Sequence, residues 1–120
     1  MIIEVCTNSL ESAINAERGG ADRIELCSEL GVGGITPSFG LIKAALEKIS
    51  IPIHVLIRPR SGDFTYSEYD FQVMLQDIEE CRNLGVSGIV SGVLNEDFSP
   101  DLKRTGNLIN ASTGMSFTFH

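Results

Sequence analysis

Arg58 and Arg60 stand one residue apart, directly after the apolar run Ile53-His54-Val55-Leu56-Ile57, and Gly62, Asp63 and Phe64 follow them. Guanidinium groups grip a phosphate or carboxylate at two points. In a parallel α/β fold the carboxyl end of a strand is where ligands bind. Other titratable side chains lie in or beside strand-like runs: Glu4, Glu25, His54 and His120. A carboxylate beside arginines is held ionised, which makes Glu25 a candidate general base. His120 suits a proton shuttle near neutral pH. The catalytic set is therefore Glu25, Arg58, Asp63 and His120, with Glu4, Arg58 and Arg60 as ligand-binding residues.

A plainer reading stands beside that one. Buried charges must be paired, so Glu4, Glu25 and Arg58 can equally form an ion-pair layer that fills an interior. Arg60 and Asp63 can form a salt bridge that fixes their own loop. His54, two residues deeper than Leu56, reads as a hydrogen-bonded core histidine. Phe64 and Tyr66 either wall a pocket or staple the start of a helix. Gly31, Gly33 and Gly34 lack the GxGxxG or Walker spacing of a phosphate cradle, and a long, flexible loop accounts for them.

The elements that position these groups alternate along the chain. Strand-like runs cover Ile2–Cys6, Arg23–Cys27, Ile53–Arg58, Gly88–Val93 and Met115–Phe119. Between them lie four helical patterns. Asn8 with Glu11 has the form of a capping box, and Gly19-Gly20 ends that helix. Thr36-Pro37 offers a cap followed by proline at the first helical position. Ser67 with Asp70 caps the third helix, whose stripe Phe71, Met74, Leu75, Ile78, Cys81 and Leu84 faces a core. Ser99-Pro100 opens a fourth, in which Gly106 costs about 1 kcal/mol relative to alanine.

Repeated βα units predict a parallel sheet. In an open doubly wound sheet both strand faces read as apolar. Here Ile3 and Val5 alternate with Glu4 and Cys6, and Ile24 and Leu26 alternate with Glu25 and Cys27. Ile53, Val55 and Ile57 alternate with His54, Leu56 and Arg58, and Met115, Phe117 and Phe119 alternate with Ser116, Thr118 and His120. One apolar face meets helices and a mixed face lines an interior, as in a TIM (β/α)8 barrel. A complete barrel takes ~250 residues, rarely below ~200, whereas this chain has 120. Residues 1–120 are thus predicted to be one partial barrel domain, an N-terminal part with about five parallel strands and four helices. Its open strand edges favour association, so a homo-oligomer or aggregation is expected.

Composition narrows the partners. A formal charge of -7 and a pI near 4.7 disfavour nucleic acid and anionic membranes. No apolar stretch approaches the ~18 residues of a membrane span. Three cysteines at scattered spacing, Cys6, Cys27 and Cys81, argue against a disulfide framework. With no signal-like N-terminus, the expectation is a cytoplasmic protein that takes a small ligand.

Met1-Ile2-Ile3-Glu4-Val5-Cys6, Gly20-Ala21-Asp22-Arg23-Ile24-Glu25-Leu26-Cys27 and Gly33-Gly34-Ile35-Thr36-Pro37-Ser38 together resemble the CutC family. So do Ile57-Arg58-Pro59-Arg60-x-Gly62-Asp63-Phe64-x-Tyr66-Ser67, Gly92-Val93-Leu94 and Thr118-Phe119-His120. The resemblance implies a TIM barrel, a cytoplasmic location, a link to copper homeostasis and a full length about twice this one. For copper the chain offers Cys6 and Cys27, both in a Glu-x-Cys frame, which in-register strands would bring to one level of one face. Soft thiolates select Cu(I), and His120 has the parity of a third ligand. The competing reading is that both cysteines pack as small hydrophobes. Three functional expectations follow: a CutC-type protein binding Cu(I) through Cys6, Cys27 and His120; a TIM-barrel enzyme acting on a small anionic metabolite; or a fragment with no activity of its own.

Overall fold

The computed structural model describes all 120 residues. Five strands, β1 (Glu4–Thr7), β2 (Arg23–Leu26), β3 (Ile53–Leu56), β4 (Gly88–Ser91) and β5 (Ser116–Phe119), pair in parallel in chain order. Helices α1 (Leu10–Arg18), α2 (Phe39–Lys48), α3 (Glu68–Leu84) and α4 (Leu102–Ala111) fall between successive strands. This is the winding of a (β/α)8 barrel, present as a partial arc. No helix is long and apolar enough to cross a membrane.

Local chemistry sets the helix starts, in three cases not where sequence reasoning put them. Ser9, not Asn8, caps α1: its hydroxyl accepts from the Ser12 amide while Ser12 Oγ accepts from the Ser9 amide. Ser38 caps α2 by accepting from the Leu41 amide. Thr36 is engaged elsewhere, exchanging hydrogen bonds with the Arg58 backbone. Ser67 does cap α3 through the Asp70 amide. Asp101 caps α4, two residues beyond Ser99, and the helix runs through Gly106.

The predicted alternation holds. Ile24, Leu26, Ile53, Val55, Ile57 and Ile89 point to the helix side and pack with Ala13, Ile42, Met74, Ile78, Cys81 and Leu108. Each fully buried aliphatic of this layer contributes about 1.5–3 kcal/mol. The opposite, concave face carries a small apolar patch of Cys27, Leu56 and Val90. Register places His54 beside Gly88. A Cβ at Gly88 would stand 2.7 Å from the His54 ring, so only glycine leaves room for the imidazole. At the two edges of the arc, Ile3 and Phe119 are about half exposed.

Candidate functional site

The concave face is built from alternate residues of neighbouring strands. In β1 and β2, Glu4 lies level with Arg23 and Cys6 with Glu25. Two contacts follow from this register. Arg23 and Glu4 form an ion pair, and the Cys6 thiol donates to Glu25 Oε2 at 2.7 Å. The expectation that Cys6 and Cys27 share a level is therefore corrected. They lie on one face of adjacent strands, but Cys27 is two residues higher. The ion-pair layer of Glu4, Glu25 and Arg58 is also corrected: Glu4 pairs with Arg23, Glu25 accepts from the Cys6 thiol, and Arg58 stands apart from both. Arg23 could have been found in the sequence, since it precedes Glu25 by one strand period.

The two thiols differ in surroundings. Cys6 is exposed as a residue, yet partial burial of its sulfur and then the Glu25 hydrogen bond and charge push its pKa up to about 12. Cys27 is 3% exposed, and its thiol points to the Thr7 carbonyl at 3.6 Å. Burial, and then the charge of Glu25, raise it as well. Glu25 thus bears on both sulfurs.

His54 is buried on β3 level with Glu25, and its Nδ1 has no hydrogen-bond partner. It is a core histidine, though not a satisfied one. Burial and then the Arg23 charge hold it below its ordinary value.

At the rim, the two arginines separate in role. Arg60 donates to Asp63 and Asp70 carboxylates at 3.0 and 3.1 Å and to the Asp63 and Thr65 carbonyls. Its guanidinium also lies 4.9 Å from the Tyr66 ring centre. The local salt bridge that fixes the loop is thus present. Arg58 is 5% exposed and makes no ion pair. Its Nη1 donates to the Val32 and Gly34 carbonyls and its Nη2 to the Gly62 carbonyl, each at 2.8 Å. Its Nε is buried without a partner. The loop after β2, read as flexible, is in fact tied to β3 by these bonds. Phe64 lies 4.9 Å from the Arg58 guanidinium and 5.7 Å from the His120 ring, linking the ends of β3 and β5.

These positions test the copper donor set. A two-thiolate site needs both sulfurs deprotonated and facing each other. Here both are protonated at neutral pH, and Cys27 is covered. His120 is exposed just after β5, three strands from β2, against Phe64. No group of three or more His, Cys, Asp or Glu side chains is placed to hold a metal ion. As folded, Cys6, Cys27 and His120 are not one centre.

The family model of the CutC family matches residues 1–120. The chain belongs to the CutC family. A family protein CutC from Mesorhizobium japonicum is 46% identical over 119 residues, covering 99% of this chain and 46% of that protein. One from Chromobacterium violaceum is 47% identical, covering 99% and 48%. The chain spans about half the length of these curated relatives. A solved CutC structure from Streptococcus agalactiae, described as a candidate copper homeostasis protein, superposes with a TM-score of 0.90 at 34% identity. It covers 100% of this chain and 59% of that one. A phosphonomutase-type structure from Burkholderia cenocepacia, TM-score 0.63 at 13% identity, shares the fold alone.

Proposed function

We propose that this chain is the N-terminal, single-domain part of a cytoplasmic copper homeostasis barrel of CutC type, and that it takes Cu(I) as cargo through Cys6 and Cys27. The observation that carries the reading is Glu25. Its carboxylate touches the Cys6 thiol at 2.7 Å and its charge reaches Cys27. A negative group that raises a thiol pKa holds a proton there, and the same field favours any cation that displaces the proton. Cu(I) binding would form a sulfur–copper bond as the Cys6 proton leaves to solvent by way of Glu25, and Cys27 would join, losing its own proton to solvent, once its cover lifts. His120 enters only if association or the remainder of a longer barrel moves it. The open edges of β1 and β5 suit association with another barrel segment or a second copy.

The test is an anaerobic Cu(I) titration against a competing chelator. Cys6→Ser and Cys27→Ser should each weaken binding at least tenfold. Equal affinity in all three proteins would remove the copper site.

A second reading is favoured by Arg58, a buried cation at the carboxyl rim with no carboxylate of its own. In an enzyme acting on a phosphate- or carboxylate-bearing metabolite, Arg58 would hold the anion at the rim, with Arg60 beside it; Glu4, paired with Arg23 at the start of β1, lies too far below to take part. Glu25 would act as base, His120 would move a proton beside Phe64, and Asp63 would orient Arg60. Inorganic phosphate that protects the wild type but not Arg58→Met against thermal unfolding would support this reading. Equal shifts in both would refute it.

A further inference from the structure

The loop after β2 lies over Cys27, held by backbone pairing at its base and by the Arg58 side chain nearer its tip. Ser28 and Ile35 pair as an antiparallel bridge that closes its base. Within it, Gly33 and Gly34 adopt left-handed backbone, at φ of 89° and 92°. Gly34 rests directly on Cys27 and Leu56: a Cβ there would stand 3.4 Å from Cys27 Sγ and 2.9 Å from Leu56 Cδ2. Arg58 reaches across from the end of β3 and binds this loop twice, at Val32 and Gly34. It holds the β3 loop with its other nitrogen, at Gly62. Hydrogen bonds from a charged donor are about twice as strong as neutral ones. Leu30 and Val32, at the tip, are exposed and supply little burial of their own. Backbone pairs at Ser28–Ile35 and Thr36–Arg58 fix the base of the loop, and across residues 29–34 the guanidinium supplies the side-chain hydrogen bonds that hold it down.

We infer that Arg58 is a latch that seats the β2–α2 loop over Cys27 and so governs access of a soft metal or electrophile to that thiol. In its copper form the inference rests on the reading that Cys27 supplies a thiolate. Arg58 is then a positioning residue, acting through the loop rather than on the metal. With the latch closed, Cys6 is the thiol open to solvent. With it open, the second soft donor on the same face is uncovered.

The test is alkylation of the metal-free 120-residue chain with N-ethylmaleimide, read by peptide mass spectrometry. Cys6 serves as an internal reference and Cys81, in the helix-side core, as the reporter of global unfolding. In Arg58→Met, which keeps an apolar stem without donors, Cys27 should label at least tenfold faster than in the wild type. Cys6 and Cys81 should be unchanged. Gly34→Ala lifts the loop by steric contact while leaving Arg58 intact, and should give the same selective gain if Arg58→Met does not fold. Wild-type labelling of Cys27 in the folded variants, or a gain at Cys27 only in step with Cys81, would overturn the latch. Selective Cys27 labelling together with Cu(I) affinity unaffected by Cys27→Ser would leave the latch standing and remove the copper reading.

Discussion

Glu25→Gln is the most informative single change on the concave face. It keeps the shape of the side chain and an oxygen that accepts from Cys6, and it deletes the charge that opposes the thiolate. With a pKa of about 12, Cys6 near pH 8 is thiolate in about one molecule in 10,000, against about one in 10 for a thiol at 9. Full release of the shift would thus raise the thiolate fraction about 1,000-fold. Nucleophilicity falls with pKa along a Brønsted slope of about 0.4–0.5, so the ceiling on the alkylation rate is a gain of about 50-fold. Burial is the largest cause of the shift and persists in the variant. The expected gain at Cys6 is therefore about 5- to 20-fold. Iodoacetamide labelling near pH 8, quantified on the Cys6 peptide, measures it. In the wild type the rate should also climb about tenfold per pH unit beyond pH 10 without levelling. A wild-type plateau near pH 9, or a Glu25→Gln rate no higher than wild type, would refute the assigned role of the carboxylate.

Three further outcomes are expected. Gly88→Ala should destabilise the fold by about 1–3 kcal/mol through overpacking against His54, and His54→Ala should relieve most of that loss in urea unfolding; additive losses would contradict the contact. Leu26→Ala, at a side chain with no solvent exposure, should cost about 2–5 kcal/mol, read from the same urea midpoints. His54 is held below its ordinary 6.5 by burial and then by Arg23, so the unfolded chain takes up its proton first as pH falls. Stability from this group is complete above pH 6.5 and declines below it toward the lower folded value. His54→Leu should flatten that slope between pH 7.5 and 5, and an unchanged slope would contradict the assignment.

Strand and helix identity, the parallel order and the two faces were legible because period-2 alternation is a direct imprint of burial on one side. Ile24 and Leu26 against Glu25 and Cys27 is the clearest instance. Relative height was not legible. Matching Glu-x-Cys frames suggested that Cys6 and Cys27 align, but barrel closure imposes a stagger between strands, and β2 is offset so that Cys6 meets Glu25. Cap positions slipped from Asn8 to Ser9, from Thr36 to Ser38 and from Ser99 to Asp101 because a second residue with a capping side chain stood one or two positions on. The fate of Arg58 was hidden for a different reason. Its partners are the backbone carbonyls of Val32, Gly34 and Gly62, which carry no side-chain signature. Arg60 was legible as a loop salt bridge because Asp63 lies three residues away.

The central claim, that Cys6 and Cys27 take Cu(I) as a pair of thiolates, is tested most directly by the pH dependence of anaerobic Cu(I) affinity. Each thiol that binds must give up a proton. Between pH 6 and 8 the logarithm of the affinity should rise by about two per pH unit in the wild type and by about one in Cys27→Ser. An affinity flat with pH, or a wild-type slope no steeper than that of Cys27→Ser, would contradict it.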